Sequence, residues 1–261
     1  MEVGYRTPLL DFFRRGEVAR DVRLLAAQGA LAPRAHEQLG LLILLVNDQD
    51  PEIARAAEAT IDSIPRASLA AFIARSDVSA DVREFFTKRG IEPADIPATD
   101  ADAPILDAGP EGETSSEAEE EEGREAHESA LNKIAGLGVA QRMALAMKGT
   151  REERAILIRD PNKIVAVAVL SSPKMTETEV GSIAKMANVS DEILRIIANT
   201  RAWVKNYGVV VALTKNPKTP VAVSMNLLSR LNEKDLRLLS ADRNVADVVR
   251  LTARKKIVID K

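Results

Sequence analysis

The fold is decided by residues 188–240, which read NVSDEILRIIANTRAWVKNYGVVVALTKNPKTPVAVSMNLLSRLNEKDLRLLS. This stretch combines a valine element, Val-x-x-x-apolar, with an Asn-Pro step, and both features recur elsewhere. The valine element occurs at Val18/Val22, Val78/Val82, Val139/Met143, Val189/Ile193 and Val245/Val249. The proline step occurs at Asp50-Pro51, Asp160-Pro161 and Asn216-Pro217. A repeat of this kind predicts stacked helical units rather than one closed core.

Four apolar columns are kept from copy to copy. Counted from Pro161 and Pro217, the matching pairs are Met175 with Leu231, Val180 with Leu236, Val189 with Val245, and Ile193 with Val249. The two prolines are 56 residues apart, which exceeds the roughly 40–47 residues of a HEAT or armadillo unit. We interpret each period as four short helices, in the third period near 190–198, 201–214, 218–230 and 233–240.

Residues at the expected helix ends support this interpretation. Asp160 and Asn216 are predicted N-caps, each followed by a proline at the first helical position. Thr176 and Glu179 have the spacing of a capping box. The valine helices are predicted to end at residue types that tolerate the left-handed conformation, namely Gly29, Gly90, Gly149 and Asn199.

Composition excludes several classes of protein. Aromatic residues make up only 3% of the chain, which disfavours a β-sandwich or barrel. The chain has no cysteine, so it has no disulfide framework or thiolate metal site, and a reducing cytoplasm is the expected compartment. We expect no signal peptide at the N-terminus. The most apolar run, residues 39–46, is too short to cross a bilayer, which needs about twenty residues.

Residues 96–127 differ from the rest because proline, glycine, serine and acidic residues dominate them. We predict a disordered acidic linker here. It would join an N-terminal α-helical repeat module, residues 1–95, to a C-terminal basic α-helical repeat module, residues 128–261. Either each module folds alone, or the linker is a long excursion from one solenoid.

Charge is unevenly distributed along the chain. Residues 1–95 carry a net charge of −3, residues 96–128 carry −11, and residues 129–261 carry +11. The acidic run can fold back on the basic module and compete with an anionic partner. Alternatively, it only keeps the linker extended and soluble.

No catalytic residue, cofactor site or metal site is predicted. The two histidines are His36, expected on the surface, and His127 at the edge of the linker. No His-x-x-x-His or Cys-x-x-Cys spacing supplies metal ligands. The glycines at 136 and 138, and the Lys148-Gly149-Thr150 sequence, lack the spacing of a phosphate-binding loop.

The basic module points to an anionic partner instead. Its candidate partner-binding residues are basic side chains together with one tryptophan and one asparagine: Arg195, Arg201, Trp203, Lys205, Asn206, Lys215, Arg230, Lys234, Arg237, Arg243 and Arg250. These cations could hold an acidic protein surface or peptide. They could also bind the phosphates of a nucleic acid, with Trp203 and Tyr207 as stacking platforms.

The segments 188–203 and 216–240 resemble the HEAT/armadillo superfamily of α-solenoids, in a divergent bacterial form with paired short helices. The resemblance covers nearly all the chain outside 96–127 and implies an all-α, right-handed solenoid. Trp203 and Asn206 are similar to the Trp/Asn ladder with which armadillo arrays hold extended peptides, although they are three residues apart rather than four. Some HEAT-like relatives are DNA glycosylases, but only the tryptophan matches their groove residues here.

The sequence therefore predicts a cytoplasmic, non-enzymatic scaffold or adaptor. We expect it to bind a protein partner, with an acidic partner at the C-terminal module and no membrane partner. The alternative is a nucleic-acid-binding helical repeat protein that its acidic linker modulates. The sequence leaves the oligomeric state open.

Overall fold

A computed structural model describes residues 7–31, 34–98, 105 and 129–259. Throughout these ranges the chain is helical or lies in turns and loops, without a strand, which confirms the all-α prediction. No helix in the described ranges is long and apolar enough to cross a membrane. The helices form two compact units, Met1–Lys174 and Met175–Lys261, referred to below as unit 1 and unit 2.

Unit 1 contains helices from both sides of the predicted linker. In chain order these are α1 (Pro8–Arg14), α2 (Arg20–Ala27), α3 (Ala35–Leu45), α4 (Pro51–Ser63), α5 (Arg66–Ile73), α6 (Ala80–Thr87), α7 (129–135), α8 (Val139–Lys148), α9 (Arg151–Leu157) and α10 (Lys163–Leu170). Helix α1 contacts α3 and α10, and α2 contacts α4 and α8. Helices before residue 99 and after residue 128 thus pack together in one unit.

Most of the predicted linker lies outside the described residues. Within the described part, the Ala98 N–H donates a 2.8 Å hydrogen bond to the Ala71 carbonyl oxygen. Further along, the Ile105 N–H donates to Oε1 of the buried Gln38 at 2.9 Å. These residues at the start of the predicted linker are therefore held against α5 and α3.

Unit 2 is built around α14. Its helices are α11 (Glu177–Lys185), α12 (Asp191–Asn199), α13 (Arg201–Val204), α14 (Tyr207–Lys215), α15 (Val221–Leu227) with a 3₁₀ turn at Leu228–Arg230, α16 (Glu233–Ala241) and α17 (Asp247–Ile259). Helix α14 packs against α11, α15 and α16, and α17 packs against α15 and α16. The apolar residues Val209, Val210 and Leu213 of α14 are almost fully buried.

The valine element marks helix starts, as predicted. Val189 precedes the N-cap Ser190 of α12, and both Val189 and Ile193 are buried. A buried apolar residue just before the N-cap is the position from which a hydrophobic staple to the N4 residue, here the buried Leu194, fixes how the chain enters the helix. The predicted capping box of Thr176 and Glu179 is also present. At position 139 the valine is instead the first residue of α8.

The predicted helix ends are right at Gly29 and Gly90, where φ is +75° and +74°. The prediction of a left-handed residue at Gly149 is wrong, since its φ is −68°. A Cβ atom at this position would lie 2.5 Å from the Leu145 carbonyl oxygen and would also clash with the Glu153 carboxylate. Position 149 therefore needs glycine, because only a residue without a Cβ atom fits this close to the Leu145 carbonyl oxygen and the Glu153 side chain.

The predicted N-caps Asp160 and Asn216 are also wrong. Each side-chain oxygen accepts the N–H two residues on, from Asn162 at 2.8 Å and from Lys218 at 2.9 Å. The chain therefore makes a tight turn first, and the helices start later, at Lys163 and Val221.

A third buried turn of the same kind lies at Asp48, whose Oδ1 accepts the Asp50 N–H at 2.8 Å. The three turn residues 48, 160 and 216 are 112 and 56 residues apart. Asp48 pairs with Arg23 of α2 at 2.6 Å, and Asp160 pairs with Arg142 of α8 at 3.0 Å. The turn at Asn216 is fixed to α11, because the Asn216 Nδ2 donates to the Ala184 carbonyl oxygen at 2.8 Å. Each turn is thus fixed to a preceding helix by a buried polar side chain.

Candidate binding surface of unit 2

The start of α14 interrupts the single helix predicted over 201–214. Asn206 is the N-cap of α14, and its Oδ1 accepts the Gly208 N–H at 2.9 Å. The Nδ2 of Asn206 donates to the Glu177 carboxylate of α11 at 3.2 Å. The fold therefore uses both polar atoms of this side chain, one to cap α14 and one to contact α11.

Tyr207 connects the start of α14 to the start of α16. Its hydroxyl donates to Oδ2 of Asp235 at 2.6 Å and accepts the Asn232 N–H at 3.1 Å. Lys215, at the other end of α14, lies 3.6 Å from Oδ1 of the same Asp235. Desolvation raises the pKa of Tyr207, and the neighbouring Asp235 carboxylate raises it further, because both disfavour a phenolate.

Arg230 makes a second connection between the same two segments. Its guanidinium donates to the carbonyl oxygen of Val204, the last residue of α13. Together with the Tyr207 contacts, this bond places residues 201–207 beside residues 230–235. We refer to these two segments as the 201/230 surface.

The 201/230 surface exposes cations beside aromatic rings. Arg201, Lys205 and Lys234 are exposed, and no acidic partner is found for them in the part of the chain that the structure describes. Trp203 is half-buried, and Tyr207 is 40% exposed. Positive charge and a partly apolar surface are therefore available together.

The nearby carboxylates are already engaged. Glu177 accepts from Asn206, Asp235 accepts from Tyr207, and Glu233 pairs with Arg237 at 2.5 Å. Internal bonds thus hold these carboxylates in place, whereas Arg201, Lys205 and Lys234 have no acidic partner among the described residues. This asymmetry is what a surface for an anionic partner requires.

The structure brings together six of the residues predicted from sequence: Arg201, Trp203, Lys205, Asn206, Arg230 and Lys234. Others lie elsewhere on unit 2. Arg195 pairs with Asp191 along α12 at 3.7 Å, Arg250 pairs with Asp247 along α17, and Arg243 is exposed between α16 and α17. Lys215 and Arg237 have acidic partners on α16.

Unit 2 as a whole keeps an excess of positive charge. Residues 175–259 contain 14 basic and 8 acidic side chains. Seven exposed cations have neither an ion pair nor a side-chain hydrogen bond among the described residues: Lys185, Arg201, Lys205, Lys218, Lys234, Arg243 and Lys255. Lys185, Lys218 and Lys255 were not among the predicted site residues. The residue type and sequence position of these three lysines do not distinguish them from lysines that form ion pairs.

In unit 1, the expectation of a free surface histidine at position 36 is wrong. The His36 side chain is 10% exposed, its Nε2 lies 3.3 Å from Oδ2 of Asp77, and its ring meets the edge of Phe72 at 4.8 Å. The Arg75 guanidinium, with a smaller contribution from His36, lowers the pKa of Asp77 to about 2. The contacts with Asp77 and Phe72 therefore hold the His36 side chain in place.

Within the described ranges, no group of three His, Asp or Glu side chains is placed to hold a metal ion. Comparisons of the chain with protein-family models, with curated proteins and with solved structures found no match. The chemistry of the 201/230 surface is therefore the basis for the functional conclusion.

Proposed function

We propose that this protein is a non-enzymatic scaffold whose unit 2 binds an acidic segment of a partner protein on the 201/230 surface. The observation that supports this most directly is the unequal pairing of charges. Glu177, Glu233 and Asp235 are bonded within the unit, whereas Arg201 and Lys205 are exposed without acidic partners among the residues that the structure describes.

The carboxylates on and beside the 201/230 surface favour an acidic peptide over a nucleic acid as the ligand. A phosphate backbone carries a charge at every nucleotide, so a strand crossing this surface would pass Glu177, Glu233 and Asp235 as well as the cations. A peptide can place its carboxylates only opposite the cations.

The strength of the interaction follows from the exposure of the cations. An exposed ion pair contributes about 0.2–1 kcal/mol, so three or four such pairs give weak binding without help from apolar contacts. Trp203 and Tyr207 provide such contacts, because aromatic side chains are prominent among residues that stabilise interfaces. We therefore expect a dissociation constant on the order of micromolar, with strong salt dependence.

We further propose that the helices are arranged as a HEAT/armadillo-like, right-handed α-solenoid. Two observations support this arrangement: the valine helix starts, as at Val189 and Val245, and the buried turns at Asp48, Asp160 and Asn216. Scaffolds of stacked helices present extended surfaces to partner proteins, which agrees with the binding role.

Trp203 is the only tryptophan in the chain, and it lies on the proposed surface. Its fluorescence therefore reports binding there without a label. The test is a titration of the whole chain with a Glu/Ala peptide and with single-stranded DNA of matched charge, at about 50 mM and about 300 mM salt.

We expect the peptide to change the Trp203 emission and to bind more tightly than the DNA. Its affinity should fall as the salt concentration rises, because the contacts are between exposed charges. Tighter binding of the DNA would support the nucleic-acid alternative instead. No emission change with either ligand at low salt would contradict both functions.

A further inference from the structure

A second surface of unit 2 lies on α17 and is both apolar and basic. Val248 and Leu251 are 56% and 54% exposed, and Lys255 is also exposed. These residues are spaced i, i+3 and i+7, so they form one stripe along the helix. The opposite side of α17 is buried through Val249 and Ala253, so the stripe faces away from the core.

The charges close to this stripe are mainly positive. Arg254 follows Leu251 by one helical turn and donates to the Ser240 carbonyl oxygen at 3.1 Å. The one carboxylate on the outer side of α17, Asp247, is paired with Arg250. An occupant of this surface would therefore meet two exposed apolar side chains flanked by cations.

We propose that the outer face of α17 docks an acidic amphipathic helix of a partner protein. The apolar side of such a helix would cover Val248 and Leu251, and its carboxylates would face Lys255 and Arg254. Helix-on-helix recognition uses anchors at this spacing. This docking site goes beyond the 201/230 surface and does not depend on it.

The same features argue against other occupants. A second copy of the chain would bring its own Lys255 and Arg254 towards these cations. The acidic run of this chain, residues 111–128, contains no Leu, Ile, Val, Met or Phe, so it cannot cover the apolar stripe. Two exposed apolar side chains are also too few to insert into a lipid surface.

The test uses the whole chain and two labelled peptides of about 14 residues, long enough for helix formation on binding. One peptide carries Leu at i, i+3, i+7 and i+10 with Glu elsewhere, and the other has the same charge with Ser in place of Leu. Binding is measured by fluorescence anisotropy. We expect the Leu/Glu peptide to bind about tenfold or more tightly than the Glu/Ser peptide.

Leu251→Asp should weaken binding of the Leu/Glu peptide by about tenfold or more, because it removes an apolar contact and adds a like charge. The matched control is Val221→Asp on α15, where the native side chain is 42% exposed; this variant should bind like the unmodified chain. Both positions are exposed, and unchanged thermal unfolding would show that the variants fold.

Four results would overturn the proposal. These are equal affinity for the two peptides, an equal loss in Leu251→Asp and Val221→Asp, a dimer in sedimentation that Leu251→Asp abolishes, and binding to anionic phosphatidylserine vesicles that Leu251→Asp abolishes. The third result would assign the stripe to a second copy, and the fourth would assign it to a membrane. Failure of the 201/230 surface is tested separately, by Trp203 emission with the Glu/Ala peptide.

Discussion

Tyr207 donates a 2.6 Å hydrogen bond to Asp235, a residue 28 positions further along the chain. The bond joins the first residue of α14 to the first turn of α16 and holds the two halves of the 201/230 surface together. The Tyr207 oxygen also accepts the Asn232 N–H, so removing the hydroxyl leaves two groups without this partner.

We predict that Tyr207→Phe lowers the free energy of unfolding by about 0.5–1.5 kcal/mol, the usual range for a lost hydrogen bond. The value should be at the lower end, because Tyr207 is 40% exposed and water can replace the hydroxyl. Urea unfolding of the whole chain measures it. As a comparison, Asp235→Asn keeps an oxygen for Tyr207 but weakens the Lys215 contact, so its cost reports that contact rather than the bond from the Tyr207 hydroxyl. If Tyr207→Phe is as stable as the native chain, the bond does not hold the surface together.

The buried turn at Asn216 predicts a larger loss of unfolding free energy. Its Nδ2 donates to the carbonyl oxygens of Ala184 and Met186, at 2.8 Å each. Asn216→Asp would place a carboxylate oxygen against these two acceptors. We expect a loss of about 3–5 kcal/mol at neutral pH, as for an unpaired buried charge.

The control for this variant is Asp242→Asn. Asp242 makes the same kind of turn, with its Oδ1 3.0 Å from the Asn244 N–H, but at an exposed site. Its replacement should change the unfolding free energy by less than about 0.5 kcal/mol, as usual for surface substitutions. Equal stability of Asn216→Asp and the native chain would show that the Asn216 amide does not make these two bonds.

Gly149 allows a test of close backbone packing. A Cβ there would lie 2.5 Å from the Leu145 carbonyl oxygen, so Gly149→Ala requires the backbone to move. We expect a loss of about 1–3 kcal/mol. Gly136→Ala is the matched control, because a Cβ at position 136 meets no atom within 4 Å. Equal thermal stability of the two variants would contradict the packing at Gly149.

The lowered pKa of Asp77 predicts how the stability of the fold depends on pH. This pKa is lowered to about 2, below the value of about 3.9 for an unfolded chain. The carboxylate therefore stabilises the fold fully above about pH 4, and this contribution is lost as pH falls towards 2. Because the side chain is 50% exposed, solvent screening limits the contribution to about 1 kcal/mol or less.

Asp77→Asn should thus be less stable than the native chain at neutral pH, and the difference should shrink as the pH falls from 4. Urea unfolding across this range measures the difference. Asp62→Asn, a change of the same kind at an exposed residue of α4, should show a smaller difference at neutral pH. A difference for Asp77→Asn that stays constant down to pH 2.5 would be inconsistent with the Arg75 contact.

Local sequence signals predicted the helix starts well. Val189 and Ile193 lie where the spacing requires, and the Thr176/Glu179 capping box forms, because each depends on residues within one helical turn. The N-cap prediction fails at Asp160 and Asn216 because an Asp or Asn before proline can cap either a helix or a turn. The choice depends on Arg142 and on the Ala184 and Met186 carbonyls, which are distant in sequence.

From the sequence, only the basic composition of the candidate surface could be predicted. Basic residues of unit 2 were visible from the charge count, but the pairing of Arg237 with Glu233 and the freedom of Lys205 depend on the folded arrangement. The Tyr207–Asp235 bond joins two helices and has no local signal. Asn206 was predicted as a partner contact, whereas the structure shows that it caps α14.

The most direct test of the central claim is a comparison of two double charge reversals, measured by binding of the Glu/Ala peptide to the whole chain. Arg201→Glu with Lys205→Glu changes the 201/230 surface. Lys185→Glu with Lys218→Glu makes the same change in net charge at exposed cations of unit 2 outside it. We predict that the first pair weakens binding by about tenfold or more and the second by less than about threefold. An equal loss in both would show that net charge alone attracts the peptide, and would contradict a defined binding surface.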